Sequence, residues 1–218
     1  HMLLVARKND LAALAAWTAA LLEERDGGAG SADLSVGLEA IQSRRADPQM
    51  QRRVQEAAGQ MLRVLGEELS AASRLSPHDM GRVLSWAYPE RIARRRTGQQ
   101  GVYLCEDGGE ARIHEKDALA HSEWLAIAHW DPGPPRKIRQ AAALDEAEML
   151  ADHAERIRSF AEVRWDAQHE VVVAEQQKRL GAILIERRPL REPQPQAVRA
   201  AMVAGIRSLG LQALPWSE

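Results

Sequence analysis

The sequence contains a single cysteine, Cys105. One cysteine excludes an internal disulfide framework and a zinc site built on several thiolates, and it fits a reducing compartment. No apolar run reaches the roughly 18 residues that a membrane span requires, and the first residues carry no secretory signal pattern. We therefore expect a folded protein of the cytoplasm.

The sequence also lacks the short motifs of common catalytic sites. It has no G-x-x-x-x-G-K-S/T phosphate loop, no G-x-G-x-x-G, no G-x-S-x-G and no H-E-x-x-H. His114, His121 and His129 lie in one region, but no pair has ligand spacing with a third ligand close by. We expect no catalytic residue, no metal site and no cofactor in this chain.

Charge of one sign is not in excess either. The 29 basic residues face 31 acidic ones, a formal net charge of −2, which argues against a uniformly basic nucleic-acid binder but allows a local basic patch. With 45% hydrophobic and 28% charged residues, the chain has material for a core. The length predicts two or three small units.

The first third of the sequence has the period of α-helices. We predict one helix that begins at a cap formed by Asn9 or Asp10 and ends at Gly27-Gly28, and a second that begins at Ser31 or Asp33. Asp47-Pro48 predicts the start of a third helix. Its predicted apolar face consists of Met50, Val54, Ala57, Met61, Val64 or Leu65, and Leu69.

A short helix is predicted from Ser76-Pro77 to Pro89, and there the pattern changes to strands. The five predicted strands are 92–96, 102–105, 111–114, 124–130 and 137–144, and turn signals such as Asp107-Gly108-Gly109 separate them. Five short strands predict a small closed barrel, for which an oligonucleotide-binding fold is the common solution.

The last third mixes helix and strand. We predict a helix over 145–157, a hairpin of 163–165 with 171–174, a strand over 180–185, a linker over 189–195 and a helix over 196–209. The predicted fold class is α+β. Residues 1–2 are interpreted as a cloning scar, 3–76 as a helical bundle, 77–144 as an OB-like barrel with a leading helix, and 145–218 as a mixed α/β extension, and the whole as part of a longer protein.

Basic and aromatic residues are interleaved in the predicted barrel. Arginines cluster on the first strand, and rings that could stack on bases occur nearby. The alternative is a solvated strand edge with tryptophans in the core. A second basic stretch, 176–179 with Arg187-Arg188, is interpreted in the first place as a solvated edge that discourages pairing between sheets. The residues concerned in the barrel are Arg91, Arg94, Arg95, Arg96, Arg112, Lys137, Arg139, Tyr103, Trp124 and Trp130.

Several motifs resemble one known family. The segments GRVLSWAYPERIARRR (81–96), GVYL (101–104) and SEWL (122–125) are similar to the region that follows the motor of DEAH-box helicases, in particular the bacterial HrpB family. EVRWD (162–166), RLGA (179–182) and the end of the chain, GIRSLG (205–210) to LPW (214–216), resemble the HrpB-specific C-terminal extension. LLEERD (21–26) and DLSVGLEA (33–40) are similar to the end of the helical ratchet domain.

The resemblance implies an ATP-dependent helicase whose motor domains, with their ATP and Mg, would precede Leu3. It therefore implies no catalytic residue here, and an isolated chain without helicase or ATPase activity. What carries over is an accessory role, in which the barrel helps to hold single-stranded nucleic acid, RNA rather than DNA. The expected contact residues are Arg94, Arg95, Arg96, Tyr103, His121, Ser122, Trp124 and Arg139.

A protein-interaction module that docks a regulator onto the helicase is the alternative. The nucleic-acid reading is favoured if Arg94, Arg96, Trp124 and Arg139 share one concave face. An exposed apolar patch around 171–173 and 183–185 would instead favour a protein partner.

Overall fold

A computed structural model describes residues 1–24 and 31–210. They divide between two compact units, His1–Ala154 and Glu155–Glu218. Gly27-Gly28, expected to end the first predicted helix, and the motif at 214–216 lie outside the described residues. Within those residues, no helix combines the length and apolar character that crossing a membrane requires.

The first unit begins with two helices where one was predicted. Helix α1 spans Met2–Lys8 and α2 spans Ala12–Glu23. The prediction that Asn9 or Asp10 caps the longer helix is wrong. Asp10 adopts a positive φ of 59°, and Asn9 donates its side-chain amide back to the Val5 carbonyl at the end of α1. The chain therefore turns between the helices, and Leu11 precedes α2.

The next two helices start where their caps predicted. Helix α3 spans Leu34–Gln42, and the Asp33 carboxylate accepts from the Ser35 N–H at 2.9 Å. Helix α4 spans Pro48–Leu65, and Asp47 accepts from the Met50 N–H at 2.9 Å. These bonds satisfy amides that a helix start leaves unpaired.

The buried face of α4 differs from the predicted one. Val54 is buried as expected, but Ala58 and Leu62 complete the face instead of Ala57 and Met61, and Val64 is 88% exposed. Helix α4 packs against α2, and small Ala58 lies at that contact side of the helix. Several apolar residues compete for the core on this helix, so its rotation depends on what it packs against.

The barrel follows a 3₁₀ turn, Pro77–Asp79, and helix α5, Met80–Ala87. Its strands are β1 Ile92–Arg95, β2 Val102–Cys105, β3 Glu110–Arg112, β4 Trp124–Asp131 and β5 Arg136–Ala143. They close in the order β1-β2-β3-β5-β4, with β3 parallel to β5 and the other pairs antiparallel. All five predicted strands are confirmed, with ends shifted by one or two residues. Gly81 brings α5 against the barrel, because an added Cβ there would lie 1.8 Å from the Ala143 carbonyl oxygen.

Helix α6, Glu146–Asp152, ends the first unit. It is shorter than predicted, because the chain leaves the helix at His153, makes a 3₁₀ turn over Ala154–Arg156 and enters a strand at Ile157.

The second unit is an antiparallel sheet with one helix. Strands β6 Ile157–Asp166, β7 Val171–Leu180 and β8 Ile183–Pro189 pair in that order, and α7, Pro195–Leu209, packs on β6 and β7. The predicted hairpin is confirmed and is longer than expected. The strand predicted over 180–185 is wrong at its start, because Gly181 with a φ of 54° forms the turn between β7 and β8. Pro189, expected in a linker, is the last residue of β8.

Candidate nucleic-acid interface

Tyr103 lies inside the barrel. Its side chain is buried, and its hydroxyl donates to the carbonyl oxygens of Leu119 at 2.5 Å and Ser122 at 2.9 Å. Burial raises the pKa of Tyr103 to about 12. The expectation that Tyr103 stacks on a base is therefore wrong, because no ring surface is exposed. The ring instead fastens β2 to the 3₁₀ turn Ala118–His121.

Trp124 is buried as well, at 1% exposure. The Arg94 guanidinium lies over its ring, 5.0 Å from the centroid, and also pairs with Glu123 at 2.6 Å between Nη2 and Oε1. Trp124 thus offers no stacking surface to a base, which corrects that expectation. Arg94 has a structural role in covering the ring.

Arg95 differs from its neighbours because it has no acidic partner among residues 1–24 and 31–210. It lies opposite Tyr103 in the β1–β2 register, at the end of the barrel where Tyr103 binds the 3₁₀ turn. Its Nε atom is buried and has no hydrogen-bond partner within the described part of the chain. An unpaired guanidinium at a barrel end is a group that a bound anion would satisfy.

Arg96 and Arg112 share one carboxylate. Glu110 Oε2 lies 3.5 Å from Arg96 Nε, and Glu110 Oε1 lies 2.8 Å from Arg112 Nε. Two guanidinium groups with one carboxylate leave a net positive charge on the strands β1 to β3. Arg112 belongs to the basic residues that the sequence pattern singled out in the barrel.

His121 and Ser122 end the 3₁₀ turn beside the β1–β2 loop. Gln100 in that loop donates to the Glu115 carbonyl at 2.9 Å, and its Nε2 lies 3.2 Å from His121 Nε2. Sequence reasoning missed Gln100, and its place in the loop that follows the basic strand β1 was the available signal. We call Arg95, Arg96, Gln100, Arg112 and His121 the loop-end cluster.

Arg139 is separate from this cluster. Its Nε donates to Asp131 at 2.7 Å, and Asp131 is the last residue of β4, whereas Trp124 is the first. Seven residues of strand separate the two positions by about 23 Å. Arg94, Arg96, Trp124 and Arg139 therefore do not share one face.

Trp130, the other tryptophan singled out in the barrel, lies near Asp131 and is covered by arginines. Arg91 lies over both Tyr88 and Trp130, and Arg136 lies 4.6 Å from the Trp130 centroid. Arg136 also bonds Asp107, which lowers the pKa of that carboxyl.

The apolar patch that would favour a protein partner is also incomplete. Val171 is 47% exposed, but Ile183 is buried. The structure therefore forms neither the single basic face predicted for nucleic acid nor the complete apolar patch predicted for a protein partner.

A closed five-stranded barrel with this strand order defines the class of the first unit: it has the topology of an OB-type barrel. A family model described as "ATP-dependent RNA helicase HrpB, connector region" matches residues 156–190, which contain the sheet of the second unit. "ATP-dependent RNA helicase HrpB" of Escherichia coli (strain K12) is 32% identical over 219 residues, which are 99% of this chain and 25% of that protein.

Two solved structures agree with that match. The crystal structure of the E. coli DExH-box NTPase HrpB has a TM-score of 0.68 and 31% identity, over 99% of this chain and 25% of that one. The crystal structure of the Escherichia coli DEAH/RHA helicase HrpB has the same TM-score and 28% identity, over 99% and 26%. Over almost its whole length the chain is similar to the C-terminal part of HrpB. It spans about a quarter of the length of these relatives, and the predicted family and fold class are both confirmed.

Proposed function

We propose that this chain is a non-catalytic accessory region of an ATP-dependent RNA helicase, and that it helps to hold single-stranded RNA beside the motor domains. The relatives named as helicases support the parent activity. ATP and Mg would belong to the motor domains, since the 218 residues contain no phosphate loop. The isolated chain would accordingly have no ATPase activity.

The proposal for the barrel depends on one observation, the unpaired guanidinium of Arg95 within the described residues. The carboxylates of Glu123, Glu110 and Asp131 already pair with the other three predicted arginines, Arg94, Arg96 and Arg139. Arg95 has no such pair, and the neighbouring Arg96–Glu110–Arg112 group keeps a net positive charge. Guanidinium contacts to phosphate oxygens hold a strand without reading its sequence. The loop-end cluster is therefore suited to backbone contacts.

The expected affinity is low and salt-dependent. Each phosphate contact to a single strand contributes about 0.7 to the slope of log K against log salt concentration. Few of the barrel's guanidinium groups are uncommitted, so we expect a dissociation constant of roughly 10⁻⁴ to 10⁻⁶ M, the range of non-specific binding.

Fluorescence anisotropy of a labelled 12-nucleotide single-stranded RNA, titrated with the chain at several salt concentrations, tests this proposal. Arg95→Gln should reduce the slope by about 0.7 and weaken binding about fivefold at 0.1 M salt. Arg139→Gln removes the same charge at the other end of β4 and should leave binding unchanged. Urea unfolding of each variant separates a loss of contact from a loss of fold.

Equal effects of the two variants would contradict the placement of the strand at the loop-end cluster. Binding that does not respond to salt, or no binding at all, would reject the proposal. The protein-interaction alternative would then be favoured, for which Met202, Val203 and Leu209 supply exposed apolar side chains on α7.

A further inference from the structure

One face of the sheet in the second unit carries an exposed aromatic ring among arginines. In the β6–β7 register Arg158 lies opposite Arg179 and Phe160 opposite Gln177, and in the β7–β8 register Gln177 lies opposite Arg187. Side chains of directly paired residues, and of residues two apart on one strand, lie on the same face. Arg158, Phe160, Arg179 and Arg187 therefore share one face, which we call the arginine–phenylalanine face.

The arginines on this face are not neutralised. Arg158 and Arg179 are directly opposed like charges, an arrangement that destabilises a sheet. Arg158 and Arg187 have neither a hydrogen bond nor an ion pair with any described residue, and both are exposed. Arg179 bonds a neutral group, since its Nε donates to Gln177 Oε1 at 2.9 Å.

The acidic side chains of the same face bond a neutral amide rather than the arginines. Glu162 and Glu175 both accept from the Gln177 amide, Glu175 at 3.3 Å and Glu162 at a shorter distance. Buried Gln177 thus joins the two carboxylates, and within the described residues neither carboxylate forms an ion pair with an arginine of this face. Positive charge accumulates in this unit as a whole, because residues 155–218 contain ten basic and eight acidic residues, against 19 and 23 in residues 1–154.

Phe160 supplies a surface of a second kind. Its side chain is 42% exposed in the middle of β6, and the Arg179 guanidinium lies 5.7 Å from the ring centroid. Aromatic rings and guanidinium planes are the groups on which unpaired bases stack, and an open sheet face displays them to a strand.

We propose that the arginine–phenylalanine face is a second contact surface for single-stranded nucleic acid, additional to the barrel. Arg158, Arg179 and Arg187 would contact phosphates, and Phe160 would stack on a base. The inference rests on the proposed function, since it assumes that the chain binds nucleic acid. Phosphates satisfy the charge of the arginines, and a base covers the ring, so a single strand matches both features of the face.

The test combines site-specific crosslinking with titration of the whole 218-residue chain. A single-stranded RNA containing 5-iodouridine is bound and irradiated, and mass spectrometry locates the crosslinked peptides. We expect a crosslink to Phe160 besides any crosslink to the barrel. Arg158→Gln/Arg187→Gln should lower the salt slope by about 1.4 and weaken binding about 25-fold at 0.1 M salt. Phe160→Leu, which keeps an apolar side chain, should weaken it at least about fivefold.

Arg188→Gln is the matched control. Arg188 lies on the same strand as Arg187 but on the opposite face, where it pairs with Glu186, so binding should not change. Sheet variants that bind like the unaltered chain, with crosslinks confined to the barrel, would overturn this inference and leave the proposed function standing. Loss of binding in the sheet variants but not in Arg95→Gln would reject the barrel instead. A chain that binds a polyglutamate peptide but no RNA would overturn both.

Discussion

Removing the hydroxyl of Tyr103 tests the structural role assigned to this ring. Tyr103→Phe removes the donor that the carbonyl oxygens of Leu119 and Ser122 share, while the Leu119 oxygen still accepts from the Ser122 N–H at 3.0 Å. A net hydrogen bond contributes about 0.5–1.5 kcal/mol. The hydroxyl has one hydrogen to share between the two carbonyl oxygens, so we expect the free energy of unfolding to fall by about 0.5–1.5 kcal/mol at pH 8, as measured by urea denaturation.

The same variant should change the response to alkaline pH. The pKa of Tyr103 is raised from 10.0 to about 12 because burial disfavours the phenolate. A raised pKa means that the unfolded chain loses the proton first, so the stabilisation is complete below pH 10 and declines as pH rises from 10 towards 12. Between pH 9 and pH 11.5 this linkage amounts to about 2 kcal/mol, and Tyr103→Phe should lack it.

Tyr88→Phe is the control, because it removes the other tyrosine hydroxyl while keeping the ring that Arg91 covers. It should retain the alkaline decline of the unaltered chain. Tyrosinate absorbance should likewise show one group that ionises near pH 12, which disappears in Tyr103→Phe only. The assignment is refuted if the two variants have the same stability and the same pH dependence.

Two further changes test local packing and capping. Gly205→Ala would place a Cβ 2.3 Å from the Trp165 ring, so we expect α7 to shift and the second unit to lose about 1–3 kcal/mol of stability; tryptophan fluorescence during denaturation measures this, with Ala204→Ser on the exposed side of α7 as the control. Asp47→Ala removes the acceptor for the Met50 N–H and should lower stability by about 1 kcal/mol, whereas an unchanged urea midpoint would contradict the capping role.

Local patterns predicted the elements of this fold well. Asp33 and Asp47 marked helix starts because their short carboxylates bond the free amides nearby, and five short strand-like runs separated by turn residues marked the barrel. The errors arose where contacts with residues distant in the sequence determine the local structure. The rotation of α4 depends on its packing against α2, and the turn at Gly181 interrupts a run that reads as one continuous strand.

The candidate site was harder to predict, because a sequence shows residue types but not their partners. The pattern ranked Arg94, Arg95 and Arg96 alike, yet Arg94 is committed to Glu123 and Trp124 while Arg95 has no acidic partner. The acidic partners that distinguish these arginines from one another lie many residues away along the chain. The burial of Tyr103 was equally hard to predict. On a four-residue strand, the register of pairing with the neighbouring strands decides which side chains point into the barrel.

A net charge of −2 therefore says little about whether this chain binds nucleic acid. What matters is how many guanidinium groups lack a carboxylate partner. Within the part of the chain that the structure describes, Arg95, Arg158 and Arg187 are such groups, and they lie in two different units. A strand long enough to reach both surfaces would gain from the raised local concentration of its second half. Affinity should then rise with RNA length more steeply than the number of available sites does, and this excess should vanish when either surface is neutralised.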